Sequence, residues 1–157
     1  MDAEVSKRIA LALAAAVSIA IPAEGLRLTY YYDPPQILTV CYGHTGKDVD
    51  KTKTYTLDEC KALLTKDMLN AIQTVDACRP GLPPNVLAAF SDAVYNLGPT
   101  IVCNTTQSTA ARMLRDRDYA GACDQLLRWN KARIGGIQVV LPGLTKRRGM
   151  ERDLCLS

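Results

Sequence analysis

Three polar side chains near the start of the chain are of types that could take part in acid–base hydrolysis, cleavage of a glycosidic bond being one case. Glu24 is followed nine residues later by Asp33, and Thr39 lies six beyond that. Such hydrolysis needs an acid to protonate the leaving oxygen, and a second group to activate water or stabilise the oxocarbenium-like transition state. Two carboxyl groups across a cleft supply both roles when their surroundings separate their acidities. Spacing alone is weak evidence, since carboxylates so placed are common. Asp33 before Pro34 and Pro35 also reads as a plain turn residue, and Thr39 as ordinary strand propensity. Other side chains are equally open. His44, the single histidine, could be a base or a structural link, Asn96 could cap a helix or bind sugar, and Trp129 could be core or a sugar platform.

Composition narrows the chemistry. With 157 residues, 48% of them hydrophobic and 22% charged, the chain suits one globular domain. A net charge of +3 favours an acidic polymer such as a cell wall and is too small to imply nucleic acid. The sequence contains no phosphate-binding glycine loop, dinucleotide fingerprint or zinc-finger spacing. One histidine nearly excludes a zinc-water hydrolase, so no metal and no cofactor is expected.

Six cysteines without close CxxC pairs suit three disulfides better than a metal site; six buried reduced thiols are the alternative. Fifteen pairings exist and the sequence does not choose among them. Joining neighbours along the chain gives Cys41–Cys60, Cys78–Cys103 and Cys123–Cys155 as the working expectation. Disulfides require an oxidising compartment and hence a route out of the cytoplasm.

The N-terminal segment offers one. After Lys7 and Arg8 an apolar run extends from Ile9 to Ile21, broken only by Ser18 and about half alanine, and Pro22 is expected to end it. A cleaved signal peptide, a buried helix and a marginal membrane anchor all fit. The small-x-small pattern Ile21-Pro22-Ala23 keeps cleavage open, whereas Pro22 beside the cut and Glu24 just after it favour an uncleaved segment that is both anchor and export signal.

The elements that must position Glu24, Asp33 and Thr39 are a helix end and a hairpin. Leu28–Tyr42 reads as two strands around the Asp33-Pro34-Pro35 turn, and is the only strand signal found. From Thr56 to Asp76, apolar residues at spacings of three and four mark an amphipathic helix that opens with a Thr56/Glu59 capping box. Asn85 is expected to cap a second helix reaching about Asn96. Shorter helices are expected over Ser108–Arg115, Tyr119–Trp129 and Thr145–Leu154, with Gly135 and Gly136 in a loop. The class is α+β.

The words around the candidate residues narrow the field further. Glu24-Gly25-Leu26-Arg27-Leu28, Tyr32-Asp33 and Thr39-Val40-Cys41-Tyr42-Gly43-His44 resemble the active-site stretch of phage lysozymes of the T4 type, departing where Cys41 replaces the first glycine of a T-x-G-x-G-H pattern. Tyr95-Asn96-Leu97-Gly98, Arg128-Trp129 and Leu141-Pro142-Gly143-Leu144 with Arg147-Arg148 extend the resemblance to endolysins of lambdoid phages, several of which carry signal-anchor-release segments.

The resemblance implies a lysozyme-like fold, a small hairpin subdomain (about 26–44) and a helical lobe (about 56–157) with the cleft between them. It also implies hydrolysis of bacterial peptidoglycan with inversion, Glu24 acting as general acid while Asp33 and Thr39 handle water. Asn96 and Trp129 become sugar-contact candidates, and His44 a structural residue near the site. Residues 1–23 would form the anchor and 24–157 the catalytic domain, a monomer held inactive at the host inner membrane and then active in the periplasm. A lytic transglycosylase and a non-catalytic peptidoglycan-binding protein remain as rivals.

Overall fold

The computed structural model describes residues 2–157. Helix α1 (Ala3–Glu24) is followed by strands β1 (Arg27–Tyr32), β2 (Leu38–Cys41) and β3 (His44–Thr45). The helical lobe comprises α2 (Leu57–Cys78), α3 (Pro84–Leu97), α4 (Thr100–Cys103), α5 (Thr109–Arg115), α6 (Tyr119–Gln125) and α7 (Pro142–Leu156). A 3-10 turn (Leu126–Arg128) and a second hairpin, β4 (Lys131–Ile134) and β5 (Ile137–Val140), separate α6 from α7.

The lobe is built around α3, which is buried at every position from Val86 to Val94, the pattern of a helix enclosed on all sides. Helices α1, α2 and α7 pack around it. The expected stripe on α2 is buried from Cys60 through Leu64, Met68, Ala71 and Ile72 to Val75, while Leu57 stays exposed. Thr56 caps that helix, its hydroxyl accepting from the Glu59 amide at 3.1 Å.

Helix α1 buries Ala12, Ala16, Ile19 and Ala20. Alanines at spacings of four present a flat face, so this helix can lie close to its neighbours. Pro22 does not end the apolar run as expected but sits inside the helix. It removes one hydrogen bond close to the C-terminus, where the burial of Ile19 and Ala20 and an ion pair at Glu24 hold the last turn in place.

Four further expectations are corrected. Asn85 does not cap α3. Pro83 occupies the cap position and Pro84 the first turn, where proline's missing N–H costs little, and the Asn85 amide instead donates to the carbonyls of Cys155 and Ser157. The Tyr119–Trp129 helix stops at Gln125 and tightens into the 3-10 turn, leaving Trp129 beyond it. Helix α7 begins at Pro142, earlier than Thr145. Gly135-Gly136 is the two-residue turn of the β4–β5 hairpin, both glycines at positive φ, and α4 was not anticipated.

In the first sheet β2 lies between β1 and β3, all antiparallel. Disulfides join Cys41 of β2 to Cys60 of α2, Cys78 of α2 to Cys103 of α4, and Cys123 of α6 to Cys155 of α7.

Candidate active site

A cleft of about 530 Å³ runs between the three-stranded sheet and the helical lobe. Glu24 reaches it from the end of α1, Asp33 from the turn after β1, and Thr39 from β2. Asn96 at the end of α3 also lines it. The opposite wall includes Asp67, Asn70, Ala71 and Thr74 of α2, side chains at the three-and-four spacing of one helix face.

Glu24 is fixed by a buried ion network. Its Oε1 accepts from Arg147 Nη1 at 2.6 Å. The same guanidinium donates twice to Asp92, from Nε at 2.9 Å and Nη2 at 2.8 Å. Arg147 is 4% exposed and Asp92 is fully buried. Burial opposes the charge on Arg147, but Asp92 and then Glu24 outweigh it and hold the guanidinium's pKa above its ordinary value.

Beside this pair, Arg148 donates from Nη2 to Asn96 Oδ1 at 2.9 Å and to Glu151 at 2.8 Å. Burial pushes the Glu151 carboxyl well up, helped by a hydrogen bond with Asp92 and opposed by Arg148.

The other oxygen of Glu24 faces Gly43. A Cβ on Gly43 would come within 3.0 Å of Oε2, and the residue has φ +77°. Glycine there is required twice, by conformation and by the close approach of the carboxylate. The Tyr95 hydroxyl closes this side by donating to the Tyr42 carbonyl. Burial, with the nearby charge of Glu24, raises its pKa, so it remains a donor.

Asp33 and Thr39 are both tied to the peptide of Ile37. Asp33 Oδ1 accepts from the Ile37 amide at 2.7 Å, and Thr39 Oγ1 donates to the Ile37 carbonyl at 2.8 Å. One turn thus orients both side chains, and Asp33 keeps its turn role while lining the cleft.

His44 sits behind the cleft wall. Its Nδ1 lies 2.6 Å from Asp67 and its Nε2 3.0 Å from Asp48. Burial works against a charged ring, but the hydrogen bonds to Asp67 and Asp48 outweigh it and raise the histidine pKa. The same contact lowers that of Asp48. His44 therefore clips the sheet to α2. Trp129 packs against the core and is not among the cleft-lining residues.

The position of Cys41 accounts for the departure from the glycine pattern. It has φ +61°, a left-handed conformation that favours glycine, and its bond to Cys60 ties it there. Sequence reading had given no role to Tyr95, Asp92 or Arg147, nor to the polar face of α2. The α2 face was detectable, since Asp67, Asn70 and Thr74 recur at helical spacing, but nothing local marks Arg147 as a partner of Glu24.

The phage lysozyme family model matches residues 22–151. The chain belongs to the phage lysozyme family. It is a glycoside hydrolase, an endolysin with muramidase activity. It is 45% identical over 134 residues to the SAR-endolysin of bacteriophage PS119, an alignment covering 85% of this chain and 76% of that one. Its fold matches the muramidase domain of SpmX from Asticaccaulis excentricus with a TM-score of 0.80 at 26% identity, covering 91% of this chain and 95% of the other.

For the P1 phage endolysin Lyz, the TM-score is 0.76 to the active form, at 24% identity over 90% of this chain and 83% of that one. To the secreted inactive form it is 0.58, at 21% identity over 90% and 93%.

Two outcomes follow from this geometry. Gly43→Ala should displace Glu24 and lower kcat/KM on purified sacculi roughly a hundredfold, with about 1–2 kcal/mol of stability lost to the left-handed backbone; unaltered turnover would show that Glu24 is not confined as described. The His44 contribution to stability should be full below the ordinary histidine pKa of 6.5 and fade as pH rises through the raised value. The Asp48 contribution should be full above 3.8 and fade as pH falls through the lowered value. Thermal unfolding of the enzyme and His44→Gln across the pH range should therefore show the largest gap between those limits, and a gap independent of pH would refute an ionic clip.

Proposed function

We propose that Glu24 is the general acid of this muramidase, and that Asp33 and Thr39 position and activate the attacking water. The bond between N-acetylmuramic acid and N-acetylglucosamine would then be hydrolysed with inversion. The observation that carries this reading is that Glu24 enters the cleft from α1 while Asp33 and Thr39 enter it from the sheet. Arg147 engages one Glu24 oxygen and leaves the other toward Gly43 and the cleft. That free oxygen is suited to deliver a proton to the leaving sugar. Asn96, which lines the cleft and is held by Arg148, would hydrogen-bond a sugar.

The test is mass spectrometry of the sugar ends released from purified peptidoglycan. Reducing N-acetylmuramic acid ends are expected, with Glu24→Gln slower by roughly 10²–10⁴-fold. Asp33→Asn keeps an acceptor for the Ile37 amide, so a comparable loss there isolates the water role from the turn role. Anhydro ends would establish a transglycosylase and remove that role, and an absence of ends would favour a binding protein.

We also infer that residues 1–23 tether the enzyme to the host inner membrane before release, leaving 24–157 as the catalytic domain, active in the periplasm as a monomer. Helix α1 is long and apolar enough to cross a membrane by length and composition, and the PS119 relative carries the SAR-endolysin name. With α1 in a bilayer, Glu24 would be held at the surface and away from Arg147, so the cleft would lack its acid. Ala10 and Ala14 are exposed on the docked helix. Replacing both with leucine should strengthen membrane retention without disturbing docking. The double variant is expected to stay in the membrane fraction and delay lysis, while extracted protein hydrolyses sacculi normally. Unchanged retention and lysis timing would overturn the tether.

A further inference from the structure

The β4–β5 hairpin has no part in the cleft. Every strand residue in it except Ala132 is exposed. Its register pairs Lys131 with Val140, Ala132 with Val139, Arg133 with Gln138, and Ile134 with Ile137. Directly paired residues share a face, so the hairpin is two-faced. One face carries Lys131, Val140, Arg133 and Gln138, and the other carries only Ala132, Val139, Ile134 and Ile137. Ile134 and Ile137 flank the glycine turn at 55% and 67% exposure. Placing two isoleucines at the tip of a projecting hairpin is unfavourable in water unless something covers them.

The charge around the tip indicates what that is. Between Asp124 and Glu151 there is no acidic residue, yet there are six cations. Arg147 and Arg148 are consumed by the buried network. Arg128, Lys131, Arg133 and Lys146 are exposed, and none of the four makes an ion pair among the described residues. An apolar tip flanked along the chain by exposed cations and no acidic residue is complementary to an anionic lipid surface, where side chains enter the acyl boundary and cations meet the phosphates. A glycan strand would call for aromatic platforms and hydrogen-bonding side chains, which this tip lacks.

We propose that the β4–β5 hairpin is a peripheral membrane contact that inserts Ile134 and Ile137 into the interface of an anionic bilayer. Its root supports this position. Gly143 and Lys146, in the first turns of α7 after the hairpin, line a small crevice together with Pro22 and Ala23 at the end of α1. The contact is separate from α1 and operates with that helix docked on the body. It keeps a released enzyme near the membrane surface reversibly, because two side chains and a few charges make a weak anchor.

The test uses flotation of the full chain with vesicles of phosphatidylethanolamine, with or without about a quarter phosphatidylglycerol. Ile134→Ser/Ile137→Ser and Lys131→Gln/Arg133→Gln are compared with the unaltered protein, α1 being present in every sample so that its own affinity cancels. Each double variant is expected to bind anionic vesicles roughly tenfold less well. Binding should weaken with salt and be small on neutral vesicles. Sacculus hydrolysis and thermal midpoint should be unchanged in both. Equal binding by the variants would overturn the proposal. So would a loss of sacculus hydrolysis, which would assign the hairpin to glycan, or a dimer dissociated by the serine variant, which would assign it to a second copy.

Discussion

The arrangement of the molecule depends on one buried guanidinium. Arg147, almost wholly removed from water, is tolerated only because Asp92 and Glu24 accept its hydrogen bonds. Taking such charges out of water costs several kcal/mol per ion even after relaxation, and mutual attraction does little more than offset it. The network is therefore better understood as a device for register than as a source of stability. It brings α1, α3 and α7 to one point, joining residues 123 apart in the chain. The cleft opens between the sheet and the helical lobe, and Glu24 at its edge acquires its orientation where the first helix meets the last.

If helix α1 both docks on the body and tethers the enzyme as proposed, its composition meets the two requirements together. The alanines at positions 12, 16 and 20 give a face flat enough to pack closely, and all three are fully buried. The same small side chains contribute little apolar area, which would make the proposed tethered state a weak one. A leucine-rich segment would satisfy the bilayer better, yet it would overpack the groove that receives the helix. Pro22 adds to this balance. It removes a backbone donor just before Glu24, and the ion pair to Arg147 fixes a turn that proline would otherwise leave loose.

What could be foreseen from the sequence follows how local each signal is. The α2 stripe, its Thr56 cap and the hairpin around Asp33 are written in residues a few positions apart, and the structure contains them. Glu24, Asp33 and Thr39, which line one cleft, stand out in the sequence because short motifs surround them. Arg147 and Asp92 do not, because a buried charge pair across 55 residues leaves no periodic trace. Asn85 looked like a cap because its side chain type favours that role, but prolines at 83 and 84 had already started the helix and left its amide for the C-terminus. The β4–β5 hairpin escaped notice for another reason. Its four-residue strands are exposed on both faces, so no hydrophobic alternation against a core announces them. A two-glycine turn with short apolar flanks was the available sign.

The cross-links leave one helix outside the covalently closed body. The three disulfides close loops with sequence separations of 19, 25 and 32 residues, all between Cys41 and Cys155. Each restricts the unfolded chain by about 3–4 kcal/mol in the loop-entropy account. The first fastens the sheet to α2, the second encloses α3, and the third fastens α6 to α7. Helix α1 lies outside every loop and carries no cysteine. Its attachment rests on apolar packing and on two ion pairs, Glu24 with Arg147 and Arg8 with Asp76. Covalent stabilisation is thus concentrated outside α1. Helix α1 is held only by reversible contacts, so the proposed release would bring Glu24 to the cleft without rearranging a single disulfide.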